Sequence, residues 1–193
     1  MKIAGVEAEL DKVADESQEI KSGEVTSLQI EAAARIATEA NEYPDDLVAQ
    51  LDRLCLEYDA IRRSMQPGSG RTHAMTRVVV RMRALAPALV GHVETYKSSG
   101  SAGSRLAAIA MMQMNPNAAD ISWLGDRFAK EAPFVFYHAA LALQNLATDG
   151  LSNVEWDQLL GAAQRGLDTV KAFGGVPDQS TIDVLDNLIS SIR

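Results

Sequence analysis

Leu47, Leu51, Leu54, Tyr58, Ile61 and Met65 follow one another at alternating steps of four and three residues. Only a helix places such positions along one stripe; a strand would show every second residue instead. The spacing is that of an a/d seam, the face through which a helix packs on other helices. Two and a half heptads are too few for a free-standing coiled coil, so the seam predicts one helix of a bundle. Pro44 suits its first position, where no backbone N–H is needed, and Asp45 and Asp46 suit the positive end of its dipole. Gln66-Pro67-Gly68-Ser69-Gly70 ends it.

The neighbouring segments repeat this logic. Ile3, Val6, Leu10, Val13 and Ile20 form a first amphipathic stripe, broken at Gly23. Thr26 with Gln29 has the form of a capping box opening an Ala-rich helix to about Asn41. After the Pro67 turn, Met75, Val78, Val79, Met82, Leu85, Leu89 and Val93 predict a long helix over 71–97, which Pro87 should kink or split. Ser98-Ser99-Gly100-Ser101 reads as a flexible joint. Beyond it, shorter helices are expected over about 102–113 and 118–131, from Pro133 towards Gly150, and from Ser152 to Phe173. Ser152 with Glu155 caps that last one, and Ser180 with Asp183 is expected to cap a final helix carrying Ile182, Leu185, Leu188 and Ile189. The fold class is therefore all-α. A helical bundle over 1–97 is expected to pack on an antiparallel helical array over 101–193, the two being separable or one continuous domain.

Charge is distributed unevenly along this framework. Between Asp59 and Glu94 there is no acidic residue, while Arg62, Arg63, Arg71, Arg77, Arg81 and Arg83 fall there with His73 and His92. Residues 1–59 carry 5 basic and 15 acidic side chains, residues 60–119 carry 8 and 1, and residues 120–193 carry 5 and 10. The net charge of −8 argues against broad nucleic-acid binding, and no aromatic residue lies between Tyr58 and Tyr96 to stack on bases. The single cysteine, Cys55, excludes an intrachain disulfide and a cysteine-rich zinc site. Apolar runs such as Leu106–Met112 are too short to span a bilayer, and Met1–Glu7 lacks the apolar run of a signal peptide. A cytoplasmic protein with no membrane association is expected.

Ser104-Arg105-Leu106-Ala107-Ala108-Ile109-Ala110, then Trp123-Leu124, then Pro133-Phe134-Val135-Phe136-Tyr137-His138-Ala139-Ala140-Leu141-Ala142-Leu143 resemble the inner helices of HEAT-type repeats. The resemblance implies stacked helices that approach through small residues and display a surface for partners. Met65–Thr72 with Met75, Val79 and Met82-Arg83 adds a likeness to helical modules attached to bacterial signalling and conflict proteins. That likeness implies an association role and no catalytic residue, and no effector domain is expected within these residues.

His73, Arg77 and Arg81 are spaced by four and share a helical face, with Arg71 just before them. These four residues are the candidate partner-binding site, a stripe for an acidic protein surface or an effector protein. The competing reading is a solvated face, or pairing with Glu31, Glu39, Glu57 or Asp59 of neighbouring helices. The expected function is a non-enzymatic protein–protein interaction module, an adaptor or regulatory scaffold of the kind the resemblance implies in bacterial-type signalling or defence. Self-association is a further expectation, because acidic flanks of one copy complement the basic middle of another. The alternative is binding of a small anionic ligand, a nucleotide or phosphate, in the Gln66–Arg77 region. No catalytic residue, cofactor or metal is expected. His138 lacks a recognisable nucleophile or orienting carboxylate nearby in sequence, Cys55 lies beside the leucine seam, and the histidines form no His-x-x-x-His pair. Met111, Met112 and Met114 read as core or as an adaptable groove.

Overall fold

The computed structural model describes residues 3–16, 25–39, 44–147, 151–175 and 178–192. The chain divides into two compact units, Met1–Asn115 and Pro116–Arg193. The first contains α1 (Ile3–Glu16), α2 (Ser27–Glu39), α3 (Pro44–Ser64), α4 (Ser69–Leu89), α5 (Val93–Lys97) and α6 (Ala102–Met114). The second contains α7 (Ile121–Lys130), α8 (Pro133–Leu146), α9 (Asn153–Ala172) and α10 (Gln179–Ile192). No strand occurs among the described residues, and the protein is all-α.

In the first unit α4 is the hub, packed against α1, α2, α3 and α6. Its expected stripe is buried from Met75 to Leu89, and Val80, Ala84 and Ala86 are buried as well. A helix enclosed round most of its circumference needs apolar or small residues on nearly every side. The α3 seam contributes Leu47, Leu51, Leu54 and Tyr58 to the core, while Ile61 is half-buried and Met65 exposed. The seam thus runs out where the α3–α4 hairpin turns. On α1, Val6, Leu10 and Val13 are buried; Ile20 and Gly23 lie outside the described residues. The expected helix over 71–97 is split into α4 and α5 by a 3-10 turn at Val90–His92, three residues after Pro87. Pro87 has no N–H for the carbonyl of Arg83, and its ring crowds that carbonyl.

Arg83 is buried, at 2% exposure, where α2, α4 and α6 meet. Its Nε donates to Gln113 Oε1 at 2.7 Å and its Nη1 to Gln29 Oε1 at 3.4 Å. Both glutamines are buried too. Gln29 also completes one half of its expected capping box, its backbone N–H donating to Thr26 Oγ1 at 3.2 Å.

α6 packs against α3, α4 and α5, so it belongs to the first unit. The sequence placed the joint at 98–101; the compact units instead meet between Asn115 and Pro116. The serine-rich segment is pinned by hydrogen bonds. Ser101 Oγ accepts from Ser104 N–H at 3.3 Å and donates to Asp59 Oδ2 at 2.6 Å. Gly103 N–H donates to Asp59 Oδ1 at 3.0 Å, so a carboxylate of α3 sits at the positive end of α6. Arg105 Nη1 donates to the Ser99 carbonyl at 2.9 Å. Gly103 is required here because a Cβ would overlap the Cys55 carbonyl oxygen and lie 2.8 Å from its carbon.

In the second unit α7 packs on α8 and α9, and α10 packs on α8 and α9. This pattern serves a four-helix cluster and a pair of stacked hairpins alike. The Ser152–Glu155 capping box forms as expected, with Ser152 N–H donating to Glu155 Oε2 at 2.9 Å. The cap of α10 is Asp178, which accepts from Thr181 N–H at 3.2 Å and from Thr181 Oγ1 at 2.6 Å; the expected Ser180 lies inside the helix instead. The longer-reaching Asp178 carboxylate holds both groups of Thr181 and starts the helix two residues earlier. Phe128 packs on Phe136 at 6.1 Å between ring centroids and against the face left bare by Gly166.

Gly103→Ala should lower unfolding free energy by about 3 kcal/mol, because backbone meets backbone at that point. Gly91→Ala, where a Cβ meets nothing within 4 Å, should be near neutral. Urea unfolding of both variants checks the contrast.

Candidate functional site

The basic residues of α3 and α4 divide by what they touch. Arg77 Nη1 pairs with Asp15 of α1 at 2.5 Å, and Arg81 Nη2 pairs with Glu57 of α3. Arg81 Nε also donates to the Arg77 carbonyl at 3.3 Å. Two of the four expected stripe residues therefore brace α4 to its neighbours. Each pair is partly exposed and stabilises by up to about 1 kcal/mol. Among the carboxylates expected as internal partners, Glu57 takes that role, Asp59 caps α6, and Glu31 is exposed on α2. The side chain of Glu39 lies outside the described set.

The other two, Arg71 and His73, occupy the first turns of α4 beside the hairpin loop. His73 is exposed and Arg71 half-buried. Across the loop, the last turn of α3 presents Arg62 and Arg63, with Arg62 Nη1 3.5 Å from Tyr58 Oη. Arg63 and His73 make no ion pair or side-chain hydrogen bond among the described residues, and Arg71 Nε is enclosed without an acceptor among them. The start of α4 has no acidic residue in its first turn and no side-chain cap. Gly68 precedes it at φ 152°, a backbone region that glycine alone adopts without strain. Arg62 and Arg63 suit the negative end of α3, whereas Arg71 sits at the positive end of α4, where a cation is unfavourable. The hairpin tip thus gathers three arginines, with His73 beside them, at a helix end that favours anions.

Comparison with known proteins finds no matching family model, no matching curated protein and no matching solved structure.

The remaining candidates are packing residues. Cys55 is buried on α3, and its thiol is pushed up to about 12, chiefly by burial and further by the charges of Asp52 and Asp59. Such a thiol is not a nucleophile at neutral pH. Tyr96 donates to Asp52 Oδ1 at 2.8 Å, and burial followed by that hydrogen bond raises its hydroxyl above the usual tyrosine range. His138 is 2% exposed and lies edge-on to Phe134 at 4.7 Å and to Tyr137 at 5.5 Å. Met111 and Met112 are fully buried, so they fill the core of the first unit. Among the described residues no group of three or more His, Cys, Asp or Glu side chains is placed to hold a metal ion. Nor is any helix among them long and apolar enough to cross a membrane. An open groove of about 280 Å³ between α7 and α9 is lined by Ser122, Asp157, Gly161 and Arg165 among others. Asp157 and Arg165 are both exposed.

Sequence reasoning missed two buried arginines. Arg83 follows Val79 by four and precedes Ala86 by three, a register that puts it on the apolar side of α4. Arg127 on α7 is 5% exposed, lies 4.2 Å over the Trp123 ring and pairs with Glu131 at 3.3 Å. The spacing of 123, 127 and 131 was the available signal.

Reversing both braces with Arg77→Glu and Arg81→Glu should cost about 1–2 kcal/mol in total, since each pair becomes a like-charge contact. Chemical denaturation at low and high salt checks this, with the cost shrinking as salt rises. Cys55 also predicts an alkaline limit. The folded state holds its thiol neutral while the unfolded chain ionises near its ordinary value of about 8.5. Its stabilisation is therefore complete below that pH and lost as pH climbs from about 9 towards 12. Cys55→Ser should flatten the early part of that decline, and thiol reagents should label the wild type only on unfolding.

Proposed function

We propose that this chain is a non-enzymatic protein–protein interaction module, an adaptor or regulatory scaffold, that docks an acidic protein surface through the α3–α4 hairpin tip. The observation that carries this reading is the cluster of Arg62, Arg63, Arg71 and His73 at one end of the first unit. No described carboxylate pairs with any of the four, whereas Arg77 and Arg81 are already engaged. Charge of one sign gathered at one exposed turn steers an oppositely charged partner and fixes its orientation more than it adds affinity. The burial of His138 and Cys55 supports a binding role over a chemical one. A HEAT-like stacking of α7–α10 and a place in a bacterial-type signalling or defence assembly are the parts of the proposal that rest on the resemblance alone.

A small anionic ligand at the start of α4 is the second reading, favoured by the enclosed Arg71 Nε. Inorganic phosphate or a nucleotide raising the melting temperature of wild type, but not of Arg71→Met, would support it.

The docking reading is tested by quantitative pull-down from host lysate with wild type and an Arg63→Glu, His73→Glu variant. Both side chains are exposed, so the variant should fold as wild type and lose the captured partner. Undiminished capture by the folded variant would remove the tip as the docking surface.

A further inference from the structure

Along the α3–α4 hairpin the charges in the middle are engaged and those at the ends are not. Arg53 pairs with Glu7 of α1 at 3.3 Å, Asp52 accepts from Tyr96, Glu57 pairs with Arg81, Asp59 caps α6, and Arg77 pairs with Asp15. At the start of α3, Asp45 is exposed and Asp46 half-buried, and neither has an ion pair or side-chain hydrogen bond among the described residues. At the other end stand the basic residues of the tip. Asp45 and Arg63 are 18 positions apart on one helix, roughly 27 Å along its axis. That separation is several screening lengths at physiological ionic strength, where the Debye length is about 8 Å. Neither end can neutralise the other within one molecule.

We infer that the partner of the basic tip is a second copy of this chain, whose acidic end of α3, at Asp45 and Asp46, receives the first copy's Arg63, Arg71 and His73. The inference rests on the docking reading and names its occupant. The acidic start of α3 and the basic tip where α3 meets α4 are complementary in sign and too far apart to satisfy each other. Such a contact uses two different patches, so it is head-to-tail: a pair of copies keeps one free end of each sign, and the assembly grows into a ring or a filament. Its contacts are exposed and ionic, so association is weak, concentration-dependent and weakened by salt.

Sedimentation velocity over a concentration series at low and high salt tests this on the full chain. Wild type should associate at low salt and dissociate at high salt. Arg63→Glu with His73→Glu cancels the positive charge of the tip, where Arg62 and Arg71 remain, and Asp45→Lys with Asp46→Lys makes both ends positive. Each variant alone should stay monomeric, with circular dichroism confirming unchanged helicity. An equal mixture of the two should associate again into pairs, because the unaltered tip of the second variant meets the unaltered start of α3 in the first. Recovery in the mixture cannot arise from misfolding of either variant. A wild type that is monomeric throughout, or a mixture that fails to recover, overturns the inference. If wild type is monomeric yet the tip variant still loses its captured partner, self-association falls and docking to a different acidic protein stands. If capture is unaffected as well, both fall together.

Discussion

The first unit depends on a guanidinium placed where three helices converge. Arg83 is buried, and Gln113 of α6 and Gln29 of α2 are among its acceptors. Enclosing a permanently charged group costs several kcal/mol unless hydrogen bonds replace its water. Those bonds are directional, so α2 and α6 hold their distances and registers along α4 to within a few tenths of an ångström. Apolar packing alone is less selective, since a leucine tolerates a small slide that a donor–acceptor pair does not. The place of α4 as hub follows from its composition: it is apolar or small on enough sides to be covered by α1, α2, α3 and α6 at once.

Around that hub the same few devices recur. Glycine lets backbones touch, as at Gly103 against Cys55 and Gly166 against Phe128. Carboxylates close helix starts, as Asp59 does for α6 and Asp178 for α10. Arginines at the rim of the core brace neighbouring helices, as Arg77 and Arg81 do. These devices consume most of the charge along the hairpin and leave the remainder at its two ends. The functional proposal stands on that remainder, because charge already engaged offers little to a partner while uncompensated charge still carries a field.

Helix existence was legible because it rests on local rules. The α3 seam, Pro44 and Pro133 at helix starts, the Ser152–Glu155 box and the break after Pro87 each involve residues within one or two turns. The position of the division between units was not legible. Ser98–Ser101 has the composition of a joint, yet Asp59, 42 positions before Ser101, ties it to α3. What each residue of the expected stripe touches was not legible. Arg71 is half-buried and His73 exposed at the start of α4, whereas Arg77 and Arg81 meet Asp15 and Glu57 from other helices. A face computed from one helix does not record what packs against it.

The sequence by itself determined an all-α chain, its helix starts and stops, and a basic middle between acidic flanks, because periodicity, capping and charge order are properties of neighbouring residues. Only the tertiary structure decided which of those charges are spent within the fold. Arg83 became a core residue, Arg77 and Arg81 became braces, and Arg63 and His73 stayed exposed. The physical reason is that an ion pair or a buried hydrogen bond depends on distances between residues far apart in the chain. Those distances exist only once α4 has been enclosed by its neighbours.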